Sequence, residues 1–524
     1  MRNCKSYLSI LIILGSTLGS LGAEPYTFEP PEQISDSGQS AGNPEVTVIS
    51  NGDAVAVWTR SDGFNSRVQG AQYSAATESW TTPVTISAAG VSASSPTISS
   101  DSSGNAVVVW SETAAGDIQS ARYDSTAETW SAPIFVANGI AASNPQVSCD
   151  PSGNAVVVWQ SFIPGFLEIS ASYFDVGLMT WSAPVQISPG AASSNNAEVS
   201  VDGDGDAVAV WQRSGSIQSS SFDVGTMTWS APITISDGGS TVGDPQIGTS
   251  AAGDAIAVWE RTVPSVDIRA ARYTKGVGWA LPVSIVPAAA VNQNPFIAVN
   301  DSLQAIASWQ GFDGVTVISQ ASSYNPVTDT WSTPQNIDPG ETSIDRDVAI
   351  DNNGNGVAVF ERFVPPVEVY VTSFDLETNT WSAPEMVSSP GENVNDPHVA
   401  VASTGVGAMI VFTGEDGVTN VIEASTGIGS AIISPPSRAT GKRVENRFPF
   451  QKEYFNKLNW TPSSSSASTG YKIVRNGEFL TLVSGRNMSE YRDHNRPKKG
   501  TDTYQISTID ASGGESTPVT VVIN

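Results

Sequence analysis

Three observations predict the fold class. A unit of about 50 residues recurs along the 524-residue chain, and each copy holds short β-type runs separated by Gly- and Asn-containing turns. Each copy also centres on an unbroken apolar run such as Ala155–Trp159 (AVVVW), rich in β-branched residues and too short for a buried helix. A four-stranded sheet with such a strand has two apolar faces and cannot cover both alone, whereas like sheets stacked radially cover each other. The chain therefore reads as all-β, and most of it as a β-propeller.

The unit from Asn144 to Ser188 shows why each element forms. Pro145–Cys149 is a short strand, and Asp150-Pro-Ser-Gly-Asn154 supplies the glycine that a tight hairpin loop needs. Ala155–Trp159 is the strand apolar on both faces, and Glu168–Phe174 alternates as a half-buried third strand should. Asp175 to Thr180 turns the chain, and Trp181-Ser-Ala-Pro184 opens a fourth strand that runs to Ile187. A proline there removes a ladder donor, which places this strand at the outer edge.

Copies of the second strand stand at Asp53–Trp58, Asn105–Trp110, Asn154–Trp159, Asp206–Trp211, Asp254–Trp259, Gln304–Trp309, Asn355–Phe360 and, degraded, Val406–Phe412. Fourth strands begin at Trp80, Trp130, Trp181, Trp229, Trp279, Trp331 and Trp381, and the last unit has none. Phe28–Ser35 (FEPPEQIS) aligns without gaps to Trp181–Ser188 (WSAPVQIS), so the strand within residues 26–35 is expected to complete the last sheet. The sequence predicts eight four-stranded blades, with seven as the alternative if the degenerate unit is an appendage.

The third-to-fourth hairpin resembles the kelch family at Ser373-Phe-Asp-Leu-Glu-Thr-Asn-Thr-Trp381 and Tyr123-Asp-Ser-Thr-Ala-Glu-Thr-Trp130, while Asp101-Ser-Ser-Gly104 is similar to the Asp-box of sialidase-like propellers. Ahead of the repeats, residues 1–23 carry Arg2, Lys5, the apolar run Leu8–Leu14 and a Gly22-Ala23 exit, which reads as a cleavable secretory signal. No other stretch is long and apolar enough to span a bilayer, so an integral membrane protein is not expected. Cys4 leaves with the signal and Cys149 then stands alone, so no internal disulfide is expected in this secreted or cell-envelope chain.

The propeller is assigned residues 24–437, and from Arg438 the texture changes. Asn456–Pro462 (NKLNWTP), Gly470–Gly477 (GYKIVRNG), Glu490–Asp493 and Thr503–Gly513 follow one another, and residues 438–524 resemble a fibronectin type III domain, with Trp460, Tyr471 and Tyr504 at that family's core positions. Charge separates the two regions. Residues 438–524 hold 13 Lys and Arg against 8 Asp and Glu, whereas residues 24–437 hold 10 against 44, a net charge of about −34. Such a field repels nucleic acid and anionic membrane surfaces, and no nucleic-acid partner is expected.

Chemistry-bearing residues are few. The tryptophans sit at fixed strand positions, which favours packing over ligand contact. Asn43, Asn144, Asn196, Asp244, Asn294, Asp345 and Asp396 open the first strands, as an Asx turn requires, and would also ring one mouth of a channel where oxygen ligands hold a cation. Asp202, Asp204 and Asp206 alternate as in a calcium loop but lack a downstream bidentate glutamate, so a hairpin turn is the default and calcium the sole cofactor to consider. Arg60, Arg213, Arg261 and Arg362 each lie two residues after the second-strand aromatic, with Glu260 and Glu361 just before two of them, a constellation able to grip an acidic sugar. His398 and His494 are the only histidines, so no multi-histidine metal centre is expected. The expectation is a non-catalytic binding or scaffold protein that presents its loop face to a glycan or extracellular protein. The alternative is a carbohydrate-active enzyme, sialidase-like or a lyase, built on the four arginines with Glu260 or Glu361 as acid or base.

Overall fold

The computed structural model describes residues 25–524 apart from 114–115, 140, 164, 191, 264, 287–290, 313, 340–341, 364, 430–435, 449–451, 464–467, 510–515 and 517, and apart from the side chains of residues 345 and 346. Residues 1–23, expected from the sequence to be a secretory signal, lie outside the described residues. Among these, all regular structure is β, and no helix is long and apolar enough to cross a membrane.

Eight antiparallel sheets of one topology follow in order along the chain. In the third, Ala142–Cys149 pairs with Ala155–Ile163, which pairs with Phe166–Asp175. The first strands, from Ala41–Val48 through Ala93–Ser100, Ala142–Cys149, Ser194–Val201, Thr241–Thr249, Asn292–Val299 and Ser343–Ile350 to Asn395–Val401, each pack on the next, and the last packs back on Ala41–Val48. The arrangement is propeller-like. Its core lies between sheets, where the second strand is sandwiched. Ala155, Val157 and Trp159 cluster with Val107, Val109 and Ile118 of the preceding sheet, while Val156 and Val158 cluster with Ala207, Ala209 and Trp211 of the following one.

The outermost strand differs from the expected continuous run from Trp181 to Ile187. It is two pieces, Thr180–Trp181 and Val185–Gln186, both paired with Phe166–Asp175. Pro184 has no N–H to give the ladder, and the Ser182 hydroxyl substitutes for a backbone acceptor by taking the Tyr173 N–H at 3.0 Å. The same hydroxyl role falls to Ser131, Ser230, Ser332 and Ser382, which explains the repeated Trp-Ser-x-Pro.

The first strands each carry a β-bulge, and Asn43, Asn144, Asn196, Asp244, Asn294 and Asp396 occupy it with left-handed backbone, φ between 49° and 58°. These residues lie inside a strand rather than in a turn before it. Asn and Asp tolerate the left-handed region better than other side chains, which is why they recur there.

Tyr26–Phe28 and Glu32–Gln33 pair with Asn420–Gly429, the third strand of the last sheet. The register places Phe28 opposite Gly427, where the other sheets have an aromatic opposite a tryptophan; a Cβ on Gly427 would stand 2.6 Å from the Phe28 ring. Tyr26 is buried, and its hydroxyl donates to Asp351 Oδ2 of the seventh sheet at 3.0 Å.

The C-terminal region forms two further sheets. Ser437–Arg447, Lys452–Thr461 and Glu490–Asp493 make one; Glu478–Ser484, Gly470–Arg475, Asp502–Ile509 and Val519–Ile523 make the other. Leu458, Trp460, Tyr471, Ile473, Tyr504 and Ile506 form the core between them. The Tyr504 hydroxyl donates to the Asp493 carboxylate at 2.5 Å and accepts from Asn456 Nδ2 at 2.9 Å.

Candidate functional site

Two places bring polar chemistry together: the face carrying the hairpins between second and third strands, and the centre of the ring. The four arginines all lie on the hairpin face, but each is held by its own neighbourhood. Arg60 donates to the carbonyls of Asp36 and Ser37 at 3.1 and 2.9 Å, and Arg213 to those of Gly190 and Ala192 at 2.7 and 2.9 Å. Arg261 grips Asp267 through Nε and Nη2 at 2.7 and 2.6 Å, and Arg362 grips the fully buried Asp338, with Nε to Oδ2 at 3.0 Å, while lying 3.7 Å above the Tyr370 ring. Arg60, Arg213 and Arg362 thereby fasten their hairpins to the segment entering the same sheet. Arg362→Ala leaves Asp338 charged and buried without its cation, and is expected to destabilise the chain by about 3–5 kcal/mol in a denaturation measurement; an unchanged midpoint would remove the fastening role.

Glu260 and Glu361 are buried and point along the ring rather than into a common pocket. Glu260 accepts from the backbone N–H of Asn294 at 3.4 Å and Glu361 from that of Asp396 at 2.8 Å, so each steadies the bulge of the next first strand. Burial raises the Glu260 carboxyl above its ordinary value.

Asp202, Asp204 and Asp206 lie on the opposite face, in the hairpin between first and second strands. All three meet the Lys275 ammonium, at 2.7, 3.3 and 2.9 Å. Asp202 Oδ1 also accepts the N–H groups of Asp204 and Asp206, the turn geometry that Asp101, Asp150 and Asp351 repeat. Among the described residues, no group of three His, Cys, Asp or Glu side chains is disposed to hold a metal ion.

The centre of the ring holds a cluster that the sequence motifs do not announce. His398 Nδ1 stands 3.6 Å from Asp347 and 4.0 Å from Glu45, and its Nε2 stands 3.8 Å from Asp396, so one imidazole ties the eighth sheet to the first and seventh. Glu198 accepts from Gln146 at 3.0 Å and feels the charge of Glu45 from the far side of the ring. Burial raises Glu45 to about 7 and Glu198 to about 8, each also pushed by neighbouring carboxylates. His398 moves well above its ordinary value: burial opposes the charged form, and the surrounding carboxylates outweigh it. The signal was positional: Glu45, Gln146, Glu198 and His398 all stand two residues after the bulge residue.

The hairpin tips are the other feature that motif reasoning passed over. Phe64 is 97% exposed, Val418 89% and Val315 84%, and Phe162, Phe166, Phe312 and Phe363 are exposed on the same face. In two tips the device is identical. Asp62 Oδ1 accepts the N–H groups of Phe64 and Asn65, Asp416 Oδ1 those of Val418 and Thr419, and Gly63 and Gly417 between them are left-handed. The order Asp-Gly-apolar, which recurs at Asp313-Gly-Val315, is the signal.

No family model matches the chain, and no curated protein does. Solved structures match at low identity. An ulvan lyase is 10% identical over 66% of this chain and 99% of its own, with a TM-score of 0.44. The propeller domain of a trilobed protease from Pyrococcus furiosus is 10% identical over 67% and 98%, with a TM-score of 0.42. A sialidase from Streptococcus pneumoniae is 8% identical over 78% and 98%, with a TM-score of 0.35. At these values the likeness is one of architecture and says nothing of activity.

Proposed function

We propose that this chain is an exported, non-catalytic binding protein, an eight-bladed propeller with a fibronectin type III-like domain at its C-terminus, taking a glycan or an extracellular protein on its hairpin face. Eight sheets of one topology and the pairing of Tyr26–Phe28 with Asn420–Gly429 support the blade count. The three-plus-four sandwich around Trp460, Tyr471 and Tyr504 supports the second domain. The leader supports delivery to the cell envelope or the medium.

One observation carries the binding reading. On the hairpin face the cations turn inward to internal partners, while apolar side chains are lifted into solvent at the tips. Exposed apolar groups of that kind mark contact surfaces, whereas catalysis on an acidic sugar needs cations free to meet substrate. A glycan array with the purified mature chain, run beside a turnover screen on acidic oligosaccharides, is expected to give binding without turnover. Turnover that Arg261→Ala abolishes at an unchanged melting temperature would overturn it and establish the enzyme alternative.

A further inference from the structure

The apolar tips Phe64, Phe363 and Val418 stand exposed on one face of the ring, and the chain supplies a fitting surface elsewhere. Four consecutive units, the sixth, seventh, eighth and first, raise Val315, Phe363, Val418 and Phe64 on one face. Acids stand at their bases: Asp62, Glu415 and Asp416 are all exposed. Arg67 meets Asp62 at 3.4 Å, whereas Arg60, Arg213, Arg261 and Arg362 are spent on oxygens of the ring other than those of Glu415 and Asp416. A surface that fits the arc is apolar and basic. The C-terminal region is both: Phe479 is 61% exposed and Leu482 54%, on the strand Glu478–Ser484, with Lys472 opposite Leu482 in the neighbouring strand. Its 13 basic residues against 8 acidic complement a ring of about −34.

We infer that the hairpin arc of one molecule docks the Phe479–Leu482 face of the C-terminal domain of a second copy. The chain leaves the ring along Asn420–Gly429, which starts at the hairpin tip and ends on the opposite face. Each molecule thus carries its arc on one face and the tether of its basic domain on the other. The contact is heterologous, so docking leaves an arc free at one end of the pair and a domain free at the other, and association continues rather than stopping at two. This goes beyond the binding reading above and fails separately from it, since a chain that stays monomeric can still bind a glycan.

The test is sedimentation of the full mature chain over a concentration series, at about 20 mM and about 500 mM NaCl, where the Debye length falls from roughly 20 Å to roughly 4 Å. The expected result is a weight-average mass that rises with concentration at low salt and falls back at high salt. The double variants Phe64→Ser/Val418→Ser and Phe479→Ser/Leu482→Ser change only exposed side chains, so both fold, and each is expected to weaken association by about tenfold or more. Mixing the two is decisive, because each retains the surface the other lacks. A 1:1 pair that grows no further supports the head-to-tail contact. A monomer at every concentration, association that survives both double variants, or a mixture that forms no pair overturns it. Flotation of the chain with neutral phosphatidylcholine vesicles, lost in the Phe64→Ser/Val418→Ser variant, also overturns it by assigning the tips to a membrane.

Discussion

A chain of residues 24–524 that lacks residues 26–35 is expected to melt about 5 °C or more below the one that keeps them. The deleted strand buries Tyr26 and Ile34, each contributing about 1.5–3 kcal/mol of apolar burial. Tyr26 packs beside Val357, Val359 and Ile410, and Ile34 beside Ala54 and Ala56, so the strand holds the seventh, eighth and first sheets together. Its loss also strips Asn420–Gly429 of its outer partner and takes the hydroxyl away from Asp351. A summed loss above about 5 kcal/mol corresponds to a shift of this size for a domain of some 400 residues, where each kcal/mol moves the midpoint by about 1 °C. Tyr26→Phe isolates one part: it keeps the ring packing and removes the bond to Asp351, for an expected loss of about 1–3 kcal/mol. Calorimetry of both variants checks the pair, and an unchanged melting curve for the deletion would sink the closing role of this strand.

The second large effect is a fall in stability as pH rises from 6 to 9. Ordinary carboxylates are ionised throughout that window, so they leave the profile flat. In the centre of the ring, Glu45 titrates near 7, Glu198 near 8, and His398 well above its usual value. All three folded values exceed the unfolded ones, so the folded ring binds more protons than the unfolded chain at neutral pH. Stability is then full at the acid end, and it is lost as pH rises through 7 and 8 and through the still higher range of His398. Asp347 and Asp396 face the same imidazole and hold its proton. The melting temperature should drop by several degrees between pH 6 and pH 9. His398→Gln should lower it most at the acid end of the window, near pH 6, and flatten the slope, and a wild-type profile that rises across the window would contradict the assignment.

The two features differ in how far the sequence announces them. The run AVVVW reads as a strand covered on both faces because every residue in it is apolar, and Val156 and Val157 do pack on opposite neighbours. The bounds of the outer strand were less legible, since Pro184 marks an edge equally well whether the strand is continuous or broken, and only the Ser182 hydroxyl bond decides between them. The four arginines could be placed on one face from their spacing alone. Their partners could not, because Asp36, Gly190, Ala192 and Asp338 belong to linkers with no shared pattern, and Asp267 opens a third strand. The central cluster was the least legible. Glu45, Asp347 and His398 are three different residues at corresponding places in the first, seventh and eighth units, and an isolated histidine says nothing until the closed ring puts the first unit beside the last.

The broken outer strand has a consequence for a chain made of so many like hairpins. An array of similar strands emerging one after another is open to pairing with the wrong copy, and a long regular outer margin would offer every neighbouring molecule a template. Here that margin is reduced to pieces of two to four residues separated by a proline, as at Trp181 and Val185 or Trp331 and Gln335. A foreign strand laid against it finds no continuous ladder to extend. The same Trp-Ser-x-Pro that makes the units recognisable as copies therefore keeps those copies from adding to one another.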